Sequence, residues 1–189
     1  GIIGICMPEE YGGLGLSHEA LTAALAEIGK VASGPVISLT TPLAGLEIIR
    51  KHGTQQQKDA YLEAGVMGDV VASMAFTEAG TGSDPKQLTT TAAVDGDYFV
   101  INGVKRFITN SGFHGPMIVY AKDVETGSCS AYLIDKFCEG YSLSTAWEKI
   151  GTKGSPVYDV FLDNIRVPKD HLIGERGAGF DILLSESSM

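Results

Sequence analysis

Between Ala72 and Pro85 the chain passes from an apolar, strand-like segment into a cluster of small, hydroxylated and turn-forming residues. Gly80 and Gly82 can take positive φ, so successive backbone N–H groups can turn toward one point. A concave set of donors of this kind suits a phosphate or pyrophosphate. Thr77, Thr81 and Ser83 add hydroxyls able to donate or accept around it. The same composition also makes an ordinary strand-to-turn loop. The stretch is neither of two familiar phosphate motifs, because the lysine of a P-loop and the glycine spacing of a dinucleotide fingerprint are both missing. Of the two carboxylates here, Asp84 before Pro85 suits a turn acceptor, and Glu78 a brace for the loop. His18, His52, His114 and His171 are scattered, with no partner nucleophile and no metal-ligand spacing.

The elements that must position these groups fall into two textures. Up to residue 70 the pattern is helical. Ser17 can cap a helix whose apolar face is Leu21, Ala24, Leu25 and Ile28. A second helix is expected to begin at Thr41-Pro42, carry Leu43, Leu46 and Ile49 inward, and stop near Gly53. Thr54 and Gln57 form a capping-box pattern for a third, running toward Ala64 and Gly65. From Val71 onward short apolar runs are separated by Asp95-Gly96, Asn102-Gly103, Thr126-Gly127 and Glu139-Gly140. The runs 98–101, 117–120, 131–134 and 157–162 are rich in β-branched and aromatic residues and read as strands. They predict an antiparallel β-sandwich or barrel. Gly179-Phe180 opens what looks like another helix. The fold class is therefore α+β and multidomain: a helical part over 1–70, a β-domain over 71–172, and the start of a further helical domain over 173–189.

The 189 residues carry a net charge of −9, with 44% hydrophobic and 20% charged residues. That balance describes an ordinary globular protein. The acidity argues against a sequence-independent hold on nucleic acid, which needs clustered Lys and Arg. No apolar run reaches membrane-spanning length. Cys6, Cys129 and Cys138 lack metal spacing and read as reduced thiols of a cytoplasmic protein. The ends, Gly1 in an apolar run and Met189 soon after a helix begins, suggest a piece of a longer chain.

Further stretches lie in order with the 72–85 run: Met7-Pro8-Glu9-Glu10-Tyr11-Gly12-Gly13, then Phe107-Ile108-Thr109-Asn110, then Gly177-Ala178-Gly179-Phe180. With Phe76-Thr77-Glu78 and Gly82-Ser83-Asp84, they make the chain resemble the acyl-CoA dehydrogenase family of flavoproteins over about residues 5–180. The resemblance implies an FAD-dependent oxidoreductase acting on an acyl-CoA, with hydride passing between the β-carbon and flavin N5. The enoyl-CoA reductase direction is open to the same residues. A non-catalytic fragment that binds acyl-CoA or flavin, or only assembles with partner chains, is the rival reading.

By the same resemblance, Met74, Phe76 and Thr77 lie along the flavin edge. Gly82 and Ser83 touch the pyrophosphate or, for Ser83, the CoA. Phe107, Ile108 and Thr109 lie at the far side of the ring, with Thr109 near N5. Phe107 stands where the family usually has Trp, Phe76 where it has a smaller aliphatic residue, and Gln87 where it has a small one. Leu14 and Leu16 could form a docking patch for an electron-transferring flavoprotein or pack in the core, and core is the expectation here. No catalytic base is assigned. The family's base lies downstream or just past Met189, and Glu186 is one turn earlier. The resemblance also implies a homo-oligomer, a homotetramer at full length, in the cytoplasm or an organelle matrix.

Overall fold

The computed structural model describes residues 1–81 and 87–186, the last by its backbone alone. Gly82, Ser83 and Asp84 therefore lie outside the described residues, as does the side chain of Glu186. Three helices come first: α1 (His18–Gly29), α2 (Ser33–His52) and α3 (Gln55–Met67). Eight strands follow: β1 (Ser73–Ala75), β2 (Thr91–Asp95), β3 (Tyr98–Thr109), β4 (Pro116–Asp123), β5 (Cys129–Asp135), β6 (Tyr141–Leu143), β7 (Val157–Pro168) and β8 (Leu172–Ile173). Helix α4 (Gly179–Glu186) is last.

The helix caps are those the sequence signals. The Ser17 hydroxyl accepts from Ala20 N–H, and Thr54 with Gln57 forms the full reciprocal box at the start of α3. The start of α2 differs from expectation. It begins at Ser33, not at Thr41-Pro42, and runs straight through Pro42. A proline inside a helix leaves the carbonyl four residues back without its donor. Here that carbonyl is Ser38 O, and the side-chain amide of Asn110, at the end of β3, donates to it over 2.8 Å. A group from the β-domain thus supplies the bond that Pro42 removes.

The strands form one sheet in the order β6-β7-β3-β2-β4-β5-β8, with β1 also on β4. The expectation of a purely antiparallel domain is corrected, because β1 and β2 both run parallel to β4. They take successive stretches of one of its edges, Met117–Val119 and Lys122–Asp123, while β5 takes the other antiparallel. A strand covered on both faces should be apolar throughout, and β4 is buried over nearly its whole length.

Its side chains alternate between two cores. Met117, Val119 and Ala121 join Phe99, Ile101, Tyr132, Val160 and Ile165, so the sheet folds over on itself like a sandwich. The rings of Phe99 and Tyr132 meet edge-on at 5.0 Å across that interior. Ile118 and Tyr120 point the other way and pack with Leu46, Ile49 and Leu62 of the helices. The helices stand on one outer face of the sheet because that face carries the second apolar row. Leu14 and Leu16, expected in the core, are instead 54% and 52% exposed. The turns that place them are held by main-chain bonds to Gly4 and Ile5, and the turn interior is filled by Met7.

Candidate cofactor site

β1 continues as Phe76-Thr77 and passes along the last third of β3. Arg106 N–H donates to Thr77 O over 2.8 Å. At the other end, Lys136 Nζ donates to Val71 O, Ser73 Oγ and Asn110 O at 2.7, 3.0 and 3.1 Å. These two anchors lay residues 74–77 alongside 106–109. The two threonines predicted from sequence therefore belong to one locality. Among the described residues, neither hydroxyl has a protein partner. Half-buried hydroxyls left open on neighbouring segments fit a ligand with polar ring atoms, because each would otherwise face water only.

The strand segment is shaped by a bulge. The β3–β7 register slips between Lys105 and Ile108, so Arg106 and Phe107 together oppose Asp159. Phe107 takes φ +59 and Asn110 φ +62, both left-handed for residues with side chains. Such conformations persist only where surrounding bonds over-determine them. At Phe107, Asp159 provides those bonds. Its carboxylate accepts from Arg106 Nε at 3.3 Å, Phe107 N–H at 3.4 Å and Trp147 Nε1 at 3.0 Å. One effect is that Phe107 is turned out of the sheet and is 52% exposed. Ile108 goes the other way. It is 3% exposed and packs in the sandwich interior, so only its main chain is available at the surface.

The loop is braced from beneath. Glu78 and Lys105 form a buried ion pair at 2.7 Å. Glu78 also accepts from the main-chain N–H groups of Thr89 and Thr90 and from the Thr89 hydroxyl. Burial would raise the pKa of this carboxyl, but bonds from Lys105, Thr89 and Thr90 prevail and hold it near 2. Lys105 reaches Phe76 O as well, at 3.2 Å. Phe76 O and Thr77 O are thus both taken. Met74 and Phe76 face the helical side, where Phe76 meets Tyr120 edge-on at 5.7 Å. Glu78 is thus the brace expected from sequence, not an acid or base.

Four participants carry no signal in their local sequence. Lys105 and Lys136 are lysines at inward positions, which no periodicity rule would select. Asp159 and Trp147 join the site only through the bulge and the β3–β7 register. Among the described residues, no group of three or more His, Cys, Asp or Glu side chains could hold a metal ion.

Helices, a folded sheet carrying parallel and antiparallel strands, and a further helix make up a layout that this chain shares with solved flavoproteins. One is a chain in the structure of the electron transferring flavoprotein of Acidaminococcus fermentans, with 34% identity and a TM-score of 0.94 over 98% of this chain and 50% of that one. A second is an acyl-CoA dehydrogenase complexed with FAD from Bacillus anthracis, with 34% identity and a TM-score of 0.92 over 98% of this chain and 32% of that one.

The family description "Acyl-CoA dehydrogenase, N-terminal domain" matches residues 1–69, and "Acyl-CoA dehydrogenase, middle domain" matches residues 73–165. The chain belongs to the acyl-CoA dehydrogenase family. Among curated relatives, a 3-(aryl)acrylate reductase of Clostridium sporogenes is 36% identical over 95% of this chain and 49% of its own length. The chain thus spans about half the length of the curated relatives it matches.

Proposed function

We propose that this chain carries the flavin-facing part of an FAD-dependent oxidoreductase acting on the α,β carbon–carbon bond of an acyl thioester. The observation that carries this reading is the pair of open hydroxyls, Thr77 and Thr109, fixed on neighbouring segments by the Arg106 and Lys136 anchors. FAD, when bound, supplies hydride exchange with the β-carbon. The chain's share is to hold the ring. Thr77 would donate to its pyrimidine edge, Thr109 would serve the N5 side, and Met74, Phe76 and Phe107 would cover apolar surface. Gly82 and Ser83, outside the described residues, are the proposed contacts for the pyrophosphate and the CoA. A hydroxyl donating to a ring that gains negative charge contributes on the order of 1.5–3 kcal/mol.

No residue of the chain is assigned as the base, and the direction of reaction is not fixed by these groups. The similarity to a reductase favours testing both an acyl-CoA and an enoyl-CoA. An electron-transferring flavoprotein is the proposed redox partner, with the exposed Leu14 and Leu16 as part of its landing surface. A homo-oligomer in the cytoplasm or an organelle matrix completes the proposal. The test is spectroscopic. The purified chain should retain or take up FAD with a flavin absorption band, and an acyl-CoA should bleach that band without oxygen. A chain that stays colourless with excess FAD, yet folds, overturns the reading and supports a non-catalytic binding or assembly role.

A further inference from the structure

Trp147 is the chain's single tryptophan. It lies on the connection between β6 and β7, and no sequence motif points to it. Its indole packs against Phe107 with centroids 5.2 Å apart and planes tilted by 55°. The Arg106 guanidinium sits 5.3 Å from the Phe107 centroid and 5.1 Å from that of Trp147. Both rings keep large open areas, 52% for Phe107 and 40% for Trp147. Trp147 borders a cleft of about 580 Å³ whose other walls include Lys149, Ile150, Lys153 and Pro156. That size suits a ring system with room for its substituents.

Large aromatic surface left in water is unfavourable unless something covers it. Here the surface is also held rigid. Asp159 accepts from the indole N–H, Trp147 N–H donates to Val157 O at 2.9 Å, and Ser144 Oγ accepts from Asp159 N–H at 2.9 Å. Rings fixed before a ligand arrives lose little entropy when it binds. Resting on the flavin reading above, we propose that Trp147 is a second ring contact for the flavin. It would form with Phe107 a two-ring platform that Asp159 holds in place. The indole adds area that one phenyl ring does not cover.

The test uses FAD titrated into the whole chain and into Trp147→Phe and Trp147→Leu, with circular dichroism as a check on folding. An indole in contact with a flavin quenches its emission by electron transfer, and a phenyl ring does not. The expected result is quenched bound flavin in the parent chain and brighter bound flavin in Trp147→Phe at comparable affinity. In Trp147→Leu, affinity should fall about tenfold, the range for losing one stacking ring. Equal affinity and equal emission in all three proteins would overturn the platform while leaving the flavin reading standing. Failure of the folded parent chain to bind FAD would overturn both.

Discussion

Replacing Lys136 with methionine should remove a pH dependence of stability that the structure builds into the wild-type chain. Lys136 is 4% exposed, and its ammonium is met by Val71 O, Ser73 Oγ and Asn110 O, with no carboxylate among these partners. Burial pulls its pKa from 10.5 down to about 7. The folded chain therefore releases this proton near neutrality, while the unfolded chain keeps it until about pH 10.5. Between these values the unfolded state binds more protons, so folding stability rises with pH, by about 1.4 kcal/mol per unit at most. From pH 7 to pH 9 the gain is roughly 2 kcal/mol, because only half the groups are already neutral at pH 7. Cys129 and Tyr132, pushed up by burial to about 11 and 12, keep their protons in the folded state over this range.

Methionine has nothing to titrate and leaves the buried carbonyl of Asn110 and the partly buried one of Val71 short of a donor, at roughly 1–3 kcal/mol for the buried one. The variant should be the less stable protein at both pH values, and the gap should widen by about 2 kcal/mol between them. Urea unfolding of both proteins at pH 7, 8 and 9 measures it. A gap that stays constant within error would refute the claim that burial, rather than hydrogen bonding, governs this lysine.

Other perturbations probe separate links. Thr109→Val should slow flavin reduction by about tenfold or more while leaving the melting temperature nearly unchanged, and unchanged reduction kinetics would remove Thr109 from the site. Leu46 is fully buried between α2 and α3, with its methyl carbons pressed on Gly65. Leu46→Ala should cost about 2–5 kcal/mol in denaturant unfolding, and a loss under 1 kcal/mol would mean the helices close the gap. Gly140 has φ +84 and its added Cβ would meet Asp163 O at 2.0 Å. Gly140→Ala should destabilise by about 2 kcal/mol or more through both strain and clash, and a neutral effect would show the turn free to move.

The brace under the loop also links the site to acid stability. Glu78 is held as a carboxylate near 2 by its donors, against a usual value of 4.5. A carboxyl so depressed contributes stability above its unfolded value and loses it as pH falls through the folded one. The loss from Glu78 therefore belongs to the window between about 4.5 and 2. Thr77 would feel it first, because Lys105 bonds both Glu78 and the carbonyl of Phe76.

What the sequence determined by itself was local. Ser17 and the Thr54–Gln57 box mark helix starts because a side chain three residues away satisfies a main-chain donor. The turn dipeptides and β-branched runs placed the strands for the same short-range reason, and ordered motifs pointed to the family and to Thr77 and Thr109. Tertiary structure decided whatever depends on distant partners. Pro42 sits inside α2 because Asn110, far along the chain, takes up the carbonyl it frees. β1 and β2 run parallel to β4, and alternation within a strand carries no information about the direction of its neighbour. Phe107 is exposed and Ile108 buried because a bulge opposite Asp159 resets which face each presents. Lys105, Lys136 and Trp147 join the site only when strands separated in sequence lie side by side, since burial and ion pairing are properties of the folded neighbourhood, not of the residue.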